Sequence, residues 1–190
     1  MEGQPTIDAL AENVVNTQRG TCFSKNGVQV STIEHAMAAL YAYEIDNCLI
    51  EVNAPEFPIL DGSSRFFSEE IQKTGVVEQN APKDYYIVKH KIEVKDEETG
   101  SSLIILPDDK FSVNVLISFD SPVLSNQFAT LNDLSEFPTE LAASRTFVFV
   151  RESGDVAQPQ LDQGWRFKTT RSLSTTKRYR KNLWTNWQIC

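Results

Sequence analysis

Glu34 and His35 are adjacent in the stretch STIEHAMAAL, and a carboxylate beside an imidazole can serve acid–base or metal-dependent chemistry. The residues alone leave two interpretations open. Ser31 and Glu34 fit a capping box, in which each side chain of a helix start bonds the other's backbone N–H. Alternatively, Glu34 and His35 are half of a metal site. The H-E-x-x-H zinc pattern is absent because position 39 is alanine, so this stretch by itself favours the cap.

The composition is that of a globular protein. Of 190 residues, 41% are apolar and 23% charged, and no run of about 18 apolar residues occurs, so we expect no membrane span. The three cysteines, Cys22, Cys48 and Cys190, are far apart, which argues against a disulfide framework and suits a reducing cytosol. No export signal is visible in MEGQPTIDAL, and we therefore expect a cytoplasmic protein.

The formal net charge of −8 is unevenly distributed along the chain. Residues 153–190 carry a net charge of +5, whereas residues 1–152 carry −13. Phosphate backbones bind chiefly through electrostatic attraction, so the acidic body argues against nucleic acid as a partner.

Two helices are predicted in the first half of the chain. The first spans about residues 31–43, where Ile33, Met37, Leu40 and Tyr41 share one face, and its four alanines predict close backbone packing. The second spans about 64–74 and ends before Gly75. Short strands are expected within residues 12–30, with Asn-Gly at 26–27 as a hairpin turn, and another strand at 48–54.

The pattern changes near residue 82, where Asn-Ala-Pro-Lys resembles a linker. Alternating apolar residues then predict strands, followed by a helix at about 134–143 and a strand at 145–150. We therefore predict an α+β protein of two tandem units, residues 1–80 and 84–152, each a small sheet packed with helices.

Three longer motifs occur in a specific order: ENVVNTQRGT, then STIEHAMAALYAYEIDNCLIEVNAPEFPILDGSS, and finally SRTFVF. Together they resemble the zinc-dependent UDP-3-O-acyl-N-acetylglucosamine deacetylases of lipid A biosynthesis. NDLSEF and KDEETG are similar to the Bacteroidetes branch, in which this enzyme is often fused to a 3-hydroxyacyl carrier-protein dehydratase. The resemblance covers about residues 3–152. It implies two α+β units with Zn²⁺ between them, and hydrolytic removal of the N-acetyl group from UDP-3-O-(3-hydroxyacyl)-N-acetylglucosamine.

The resemblance also implies roles for individual residues. His35 matches a zinc ligand, Glu34 the general base, and Thr146 a threonine that holds the oxyanion. Phe147 follows Thr146 and is a candidate for substrate contact, although a strand residue is equally expected to be core. Asp61 and Gly62 are interpreted as a turn that shapes the neighbourhood of the site.

The chain departs from the family pattern in its last part. The other two family ligands, a histidine and an aspartate, belong to a His-Lys-x-x-Asp-like helix, and no histidine follows His90. We therefore expect the second unit and the zinc site to be incomplete and the opening strands of the first unit to be missing. Residues 153–190 are expected to be a non-family tail, disordered or derived from a shifted reading frame. The alternative function is a catalytically inactive fragment, at most a remnant that binds a nucleotide sugar or a protein.

Overall fold

Helices and short strands alternate along the chain. The computed structural model describes residues 5–119, 125–149 and 171–173. The helices are α1 (Glu34–Ala42), α2 (Arg65–Thr74) and α3 (Phe137–Glu140), with 3-10 helices at Ala11–Asn13 and Leu134–Glu136. The strands are β1 (Val14–Asn16), β2 (Cys22–Lys25), β3 (Val28–Val30), β4 (Ile92–Lys95), β5 (Ser102–Ile105), β6 (Val113–Ile117), β7 (Gln127–Leu131), β8 (Phe147–Phe149) and β9 (Arg171–Leu173). This mixture confirms the predicted α+β class.

The first three strands form an antiparallel sheet in the order β1-β2-β3. Asn26 and Gly27 connect β2 to β3 with φ values of 53° and 79°. Positive φ at both central residues is what a tight hairpin of type I′ requires, and asparagine and glycine adopt it at least cost. The predicted hairpin is confirmed, and it aligns Phe23 with Val30 on one face.

Helix α1 has an apolar cluster on each side. One cluster contains Phe23, Ile33, Ala36 and Phe57 and joins the helix to the first sheet. The second cluster contains Leu131, Phe137 and Ala142, and Ala38 and Ala42 of α1 pack against it. Because alanine side chains are short, α1 approaches the elements of the second half closely. This helix therefore connects the first half of the chain, which holds the first sheet, with the second half, which begins after α2.

The second half consists of separate two-stranded sheets. β4 pairs with β5 and β6 with β7, both antiparallel, whereas β8 pairs with β9 in parallel. The helix predicted at 134–143 is shorter than expected. Pro138 has no backbone N–H and is tolerated only in the first turn of a helix, so α3 begins at Phe137 and a 3-10 turn precedes it.

Several strand predictions differ from the structure. Residues 48–54 were predicted to be a strand and form none, and Leu49 of this segment is 77% exposed. Apolar composition does not make a strand unless the segment also pairs with a neighbouring strand, and among the described residues 48–54 take part in no strand pairing. Strand β7 was not predicted. Nor was β9, which lies in the tail expected to hold no packed element, and its neighbours lie outside the described residues.

The described structure does not test the division into units at 1–80 and 84–152, which stays a prediction. Most of the tail at 153–190, including the proposed frameshift origin, lies outside the described residues. Within the described ranges, no helix is long and apolar enough to cross a membrane.

Ile33 is the best-buried large residue of the first cluster, with 2% of its surface exposed. We expect Ile33→Ala to lower the free energy of unfolding by about 2–5 kcal/mol, because it leaves a cavity beside Phe23 and Phe57. Urea denaturation measures this change. The matched control is Ile104→Ala on exposed β5, where about 1 kcal/mol or less should be lost. Equal losses at both positions would contradict the proposed core.

Candidate active site

His35, the second residue of α1, lies at the junction of the two halves. Its side chain is 3% exposed, and its Nε2 atom lies 3.3 Å from the Thr146 hydroxyl and 3.9 Å from Glu34 Oε1. Thr146 directly precedes β8 and is 111 positions away in sequence. The structure thus brings together the three residues singled out for base, metal ligand and oxyanion contact.

Glu34 does not act as a helix cap. Helix α1 begins at Glu34 with Ile33 in the cap position, and the Ile33 side chain makes no capping hydrogen bond. The Ser31 hydroxyl donates to Pro55 O at 3.4 Å instead. The capping-box interpretation is therefore wrong, because the cap position is Ile33, two residues after Ser31. The Glu34 carboxylate is instead held by the Thr21 backbone N–H, which donates to Oε2 at 2.9 Å.

The connection between β1 and β2 lies beside this carboxylate. Gly20 lies beside it, and a Cβ atom at that position would stand 3.5 Å from Glu34 Oε1. One carboxylate oxygen is thus taken by a backbone N–H, while the other faces the imidazole. Sequence reasoning missed the role of Thr21, although the residue belongs to the quoted motif ENVVNTQRGT.

Thr146 is fixed by a turn from the first half of the chain. Its N–H donates to Gly62 O at 2.8 Å, and the preceding Arg145 places Nη2 3.5 Å from Asp61 Oδ2. Gly62 has a φ of 79°, which suits glycine. The predicted turn at Asp61 and Gly62 is confirmed, and it orients the residue that contacts His35.

Asp61 has more partners than a turn requires. Its carboxylate accepts from the Ser63 hydroxyl at 2.6 Å and lies 3.2 Å from Nη2 of Arg65. With Arg145 as a second cation, this 14% exposed carboxylate is well compensated. Sequence reasoning missed both arginine contacts. The adjacency of Arg145 to the threonine in SRTF was the available signal.

Burial sets the protonation of His35. Desolvation lowers the pKa of its imidazole below the usual 6.5, and the negative charges of Glu34 and Asp61 oppose this more weakly. The ring is therefore neutral at pH 7, with Nε2 turned toward Glu34 and Thr146. Neutral imidazole is the form that binds zinc.

The residues at the site fit a metal ion in type but not in number. Among the described residues, no group of three His, Cys, Asp or Glu side chains could hold a metal. His90 is exposed and precedes β4. A catalytic zinc usually takes three protein ligands. In the described ranges His35 is the one histidine at this site, so the zinc ion stays a prediction.

Phe147 packs against another aromatic side chain. Its ring and that of Phe119 meet edge to face, with centroids 5.5 Å apart and an interplanar angle of 69°. Such pairs stabilise a fold beyond their buried area. The structure therefore gives Phe147 a packing contact, and its contact with substrate stays a prediction.

Fold and site together define an α+β protein in which a histidine, a carboxylate and a hydroxyl meet where its two halves join. A model of the family described as "LpxC: UDP-3-O-acyl N-acetylglycosamine deacetylase" matches residues 1–182. The chain belongs to this family.

Curated relatives agree with this assignment. The "Bifunctional enzyme LpxC/FabZ" of Bacteroides thetaiotaomicron is 66% identical over 152 residues, covering 80% of this chain and 33% of the relative. The protein of the same name from Porphyromonas gingivalis is 59% identical over 164 residues, covering 86% of this chain and 36% of that relative. The UDP-3-O-acyl-N-acetylglucosamine deacetylase of Myxococcus xanthus is 39% identical over 160 residues, covering 84% of this chain and 50% of that relative. The chain spans about a third of the length of the two bifunctional relatives.

The lowered pKa of His35 predicts a pH-dependent stability of the metal-free chain. As the pH falls below about 6.5, the unfolded state takes up a proton before the folded state does, so the free energy of unfolding decreases until the folded pKa is reached. Above about pH 7.5 the His35 imidazole is neutral in both the folded and the unfolded state, and its contribution to the free energy of unfolding is fully present.

Urea denaturation in EDTA between pH 5 and 8 measures this effect. In His35→Gln the free energy of unfolding should decrease less as the pH falls below about 6.5. The control His90→Gln, at an exposed position, should show the same decrease as the wild type. Identical pH profiles for wild type and His35→Gln would show that burial does not disfavour the charged imidazole.

Proposed function

We propose that this chain supplies the general base and one zinc ligand of a UDP-3-O-acyl-N-acetylglucosamine deacetylase. The substrate would be UDP-3-O-(3-hydroxyacyl)-N-acetylglucosamine, whose N-acetyl group is removed in lipid A biosynthesis. The observation that carries the proposal is that Glu34 Oε1 and the Thr146 hydroxyl both lie within 3.9 Å of His35 Nε2. Membership of the family and the names of the relatives support it.

Glu34 and Thr146 have separate roles in the proposed amide hydrolysis. The Glu34 carboxylate takes a proton from water as the water oxygen bonds to the acetyl carbon. The C–N bond then breaks, the proton passes to the leaving amine, and acetate is released. The Thr146 hydroxyl donates to the carbonyl oxygen as negative charge develops there, and losing one such donor typically costs about 10²–10³ in rate.

His35 is the residue that would hold zinc in this part of the chain. A bound zinc ion polarises a carbonyl and lowers the pKa of water toward about 7. The buried neutral ring offers Nε2 on the side of the base and the hydroxyl. Thr21 keeps the Glu34 carboxylate in place through its N–H, so the base remains next to the imidazole.

A second candidate is a non-catalytic protein that binds a nucleotide sugar or a partner protein. It is favoured by the single imidazole at the site in the described ranges, since one histidine binds a catalytic metal weakly. We expect the purified 190-residue chain to hold zinc well below one equivalent and to show no turnover by itself. Metal analysis and an acetate-release assay measure both. Near-stoichiometric zinc with turnover would instead favour the enzyme.

A chimera tests the catalytic proposal directly. The matching segment of the Bacteroides thetaiotaomicron enzyme is replaced by this chain's segment, which is 66% identical to it. We expect the chimera to release acetate from the substrate. Glu34→Gln in the chimera should reduce the rate about 10²–10⁴-fold without changing its zinc content, because only proton transfer is lost.

The matched control is Glu70→Gln, which alters an exposed carboxylate on α2. This variant should keep the activity of the chimera. A folded, zinc-loaded chimera without activity, or an active Glu34→Gln variant, would refute the proposed role of this segment.

A further inference from the structure

Thr32 adopts an unusual backbone conformation next to the site. Its φ is 59°, in the left-handed region, which a β-branched residue rarely occupies. Conformations of this kind cost about 1–3 kcal/mol and persist only where the surroundings hold them. Thr32 lies two residues before Glu34 and between β3 and α1. The chain therefore enters the helix of the site through a strained residue.

Glu56 is the side chain that holds Thr32. The Thr32 hydroxyl donates to Glu56 Oε1 at 2.7 Å in a partly buried position. The flanking backbone is paired as well, since Ser31 N donates to Pro55 O and Phe57 N to Ser31 O, both at 3.0 Å. Glu56 is the acidic residue of the PEFP motif, and the proposed mechanism gives it no role.

The left-handed turn at Thr32 directs the chain back toward the β1–β2 connection. Ile33 N donates to Thr21 O at 3.4 Å, and Thr21 N donates to the Glu34 carboxylate at 2.9 Å. Both bonds are present together with the left-handed φ of residue 32, which lies directly before Ile33 and sets the direction in which the chain enters α1. Relaxation of Thr32 to an ordinary conformation would rotate the start of α1 and move Glu34 from Thr21.

We infer that Glu56 is a positioning residue: its hydrogen bond to Thr32 maintains the strained turn that places Glu34 beside His35. The inference rests on the proposed function for the catalytic meaning of Glu34, whereas the positioning itself is a statement about this chain. The backbone pairing of Ser31 with residues 55–57 does not involve the Glu56 side chain. Removing the carboxylate should therefore displace Glu34 while the fold remains.

The Thr21 amide reports the position of Glu34 without any assay of activity. In the ¹H–¹⁵N spectrum of the full 190-residue chain, an N–H bonded to a carboxylate resonates downfield. Glu34→Ala gives the shift of this amide without its acceptor. We expect Glu56→Ala to move the Thr21 amide toward that value and to lower the folding equilibrium constant about tenfold.

Two further variants separate positioning from a general structural role. Glu56→Gln keeps an oxygen that accepts from Thr32, so the Thr21 amide should return to its wild-type shift. Thr32→Gly adopts the left-handed conformation without strain, so adding it to Glu56→Ala should also restore the shift. The control Glu70→Ala, which removes an exposed hydrogen-bonded carboxylate on α2, should leave the Thr21 amide unchanged.

Each outcome decides the proposal. An unchanged Thr21 amide in Glu56→Ala, or a displaced one in Glu56→Gln, overturns it. If Glu56→Ala does not fold, a folded Thr32→Gly/Glu56→Ala variant with the wild-type shift supports the proposal, and an unfolded one overturns it. An inactive chimera with a Glu56-dependent Thr21 shift refutes the proposed function and leaves the positioning role of Glu56 in place.

Discussion

The candidate site depends on α1 being packed on both of its sides. The His35 imidazole is almost completely buried, and a buried polar group must find a hydrogen-bond partner inside the protein. That partner, the Thr146 hydroxyl, comes from the second half of the chain. The Ala38 and Ala42 side chains bring the second half within reach because they are small. Neither half alone would bury the ring and satisfy it.

Electrostatics at the junction follow from the same burial. The negative charges of Glu34 and Asp61 raise the pKa of the imidazole, yet desolvation lowers it by more and the ring stays neutral. Each carboxylate has its own compensation. Glu34 accepts a backbone N–H, and Asp61 lies within 3.5 Å of two arginines. The proposed metal ligand and the proposed base can therefore coexist as a neutral ring and a partly exposed carboxylate.

Local chemistry explains which elements could be predicted. The hairpin at Asn26 and Gly27 and the end of α2 at Gly75 depend on backbone preferences of single residues, so the sequence indicates them directly. Residues 48–54 have the composition of a strand but take part in no strand pairing in the described ranges. The composition of one segment does not specify which other strand it pairs with.

The site was predictable in its members but not in its geometry. Glu34, His35 and Thr146 were singled out from motifs, and the structure places them together. The capping box was a sound local pattern that failed because Thr32 takes a left-handed conformation, and that conformation depends on Glu56, 24 positions away. A long-range hydrogen bond of this kind leaves no periodic signal.

The segment PEFPILDGSS explains how one loop can organise both sides of the site. Its Glu56 bonds Thr32 on the entry to α1, and its Gly62 accepts the N–H of Thr146. The segment includes no long helix or strand, and its prolines and the Asp-Gly turn restrict the backbone in their place. Binding and catalytic residues are commonly placed by loops on a rigid scaffold. Here the loop carries none of the proposed catalytic residues and instead bonds the entry to α1 and the residue before β8, the two places where they lie.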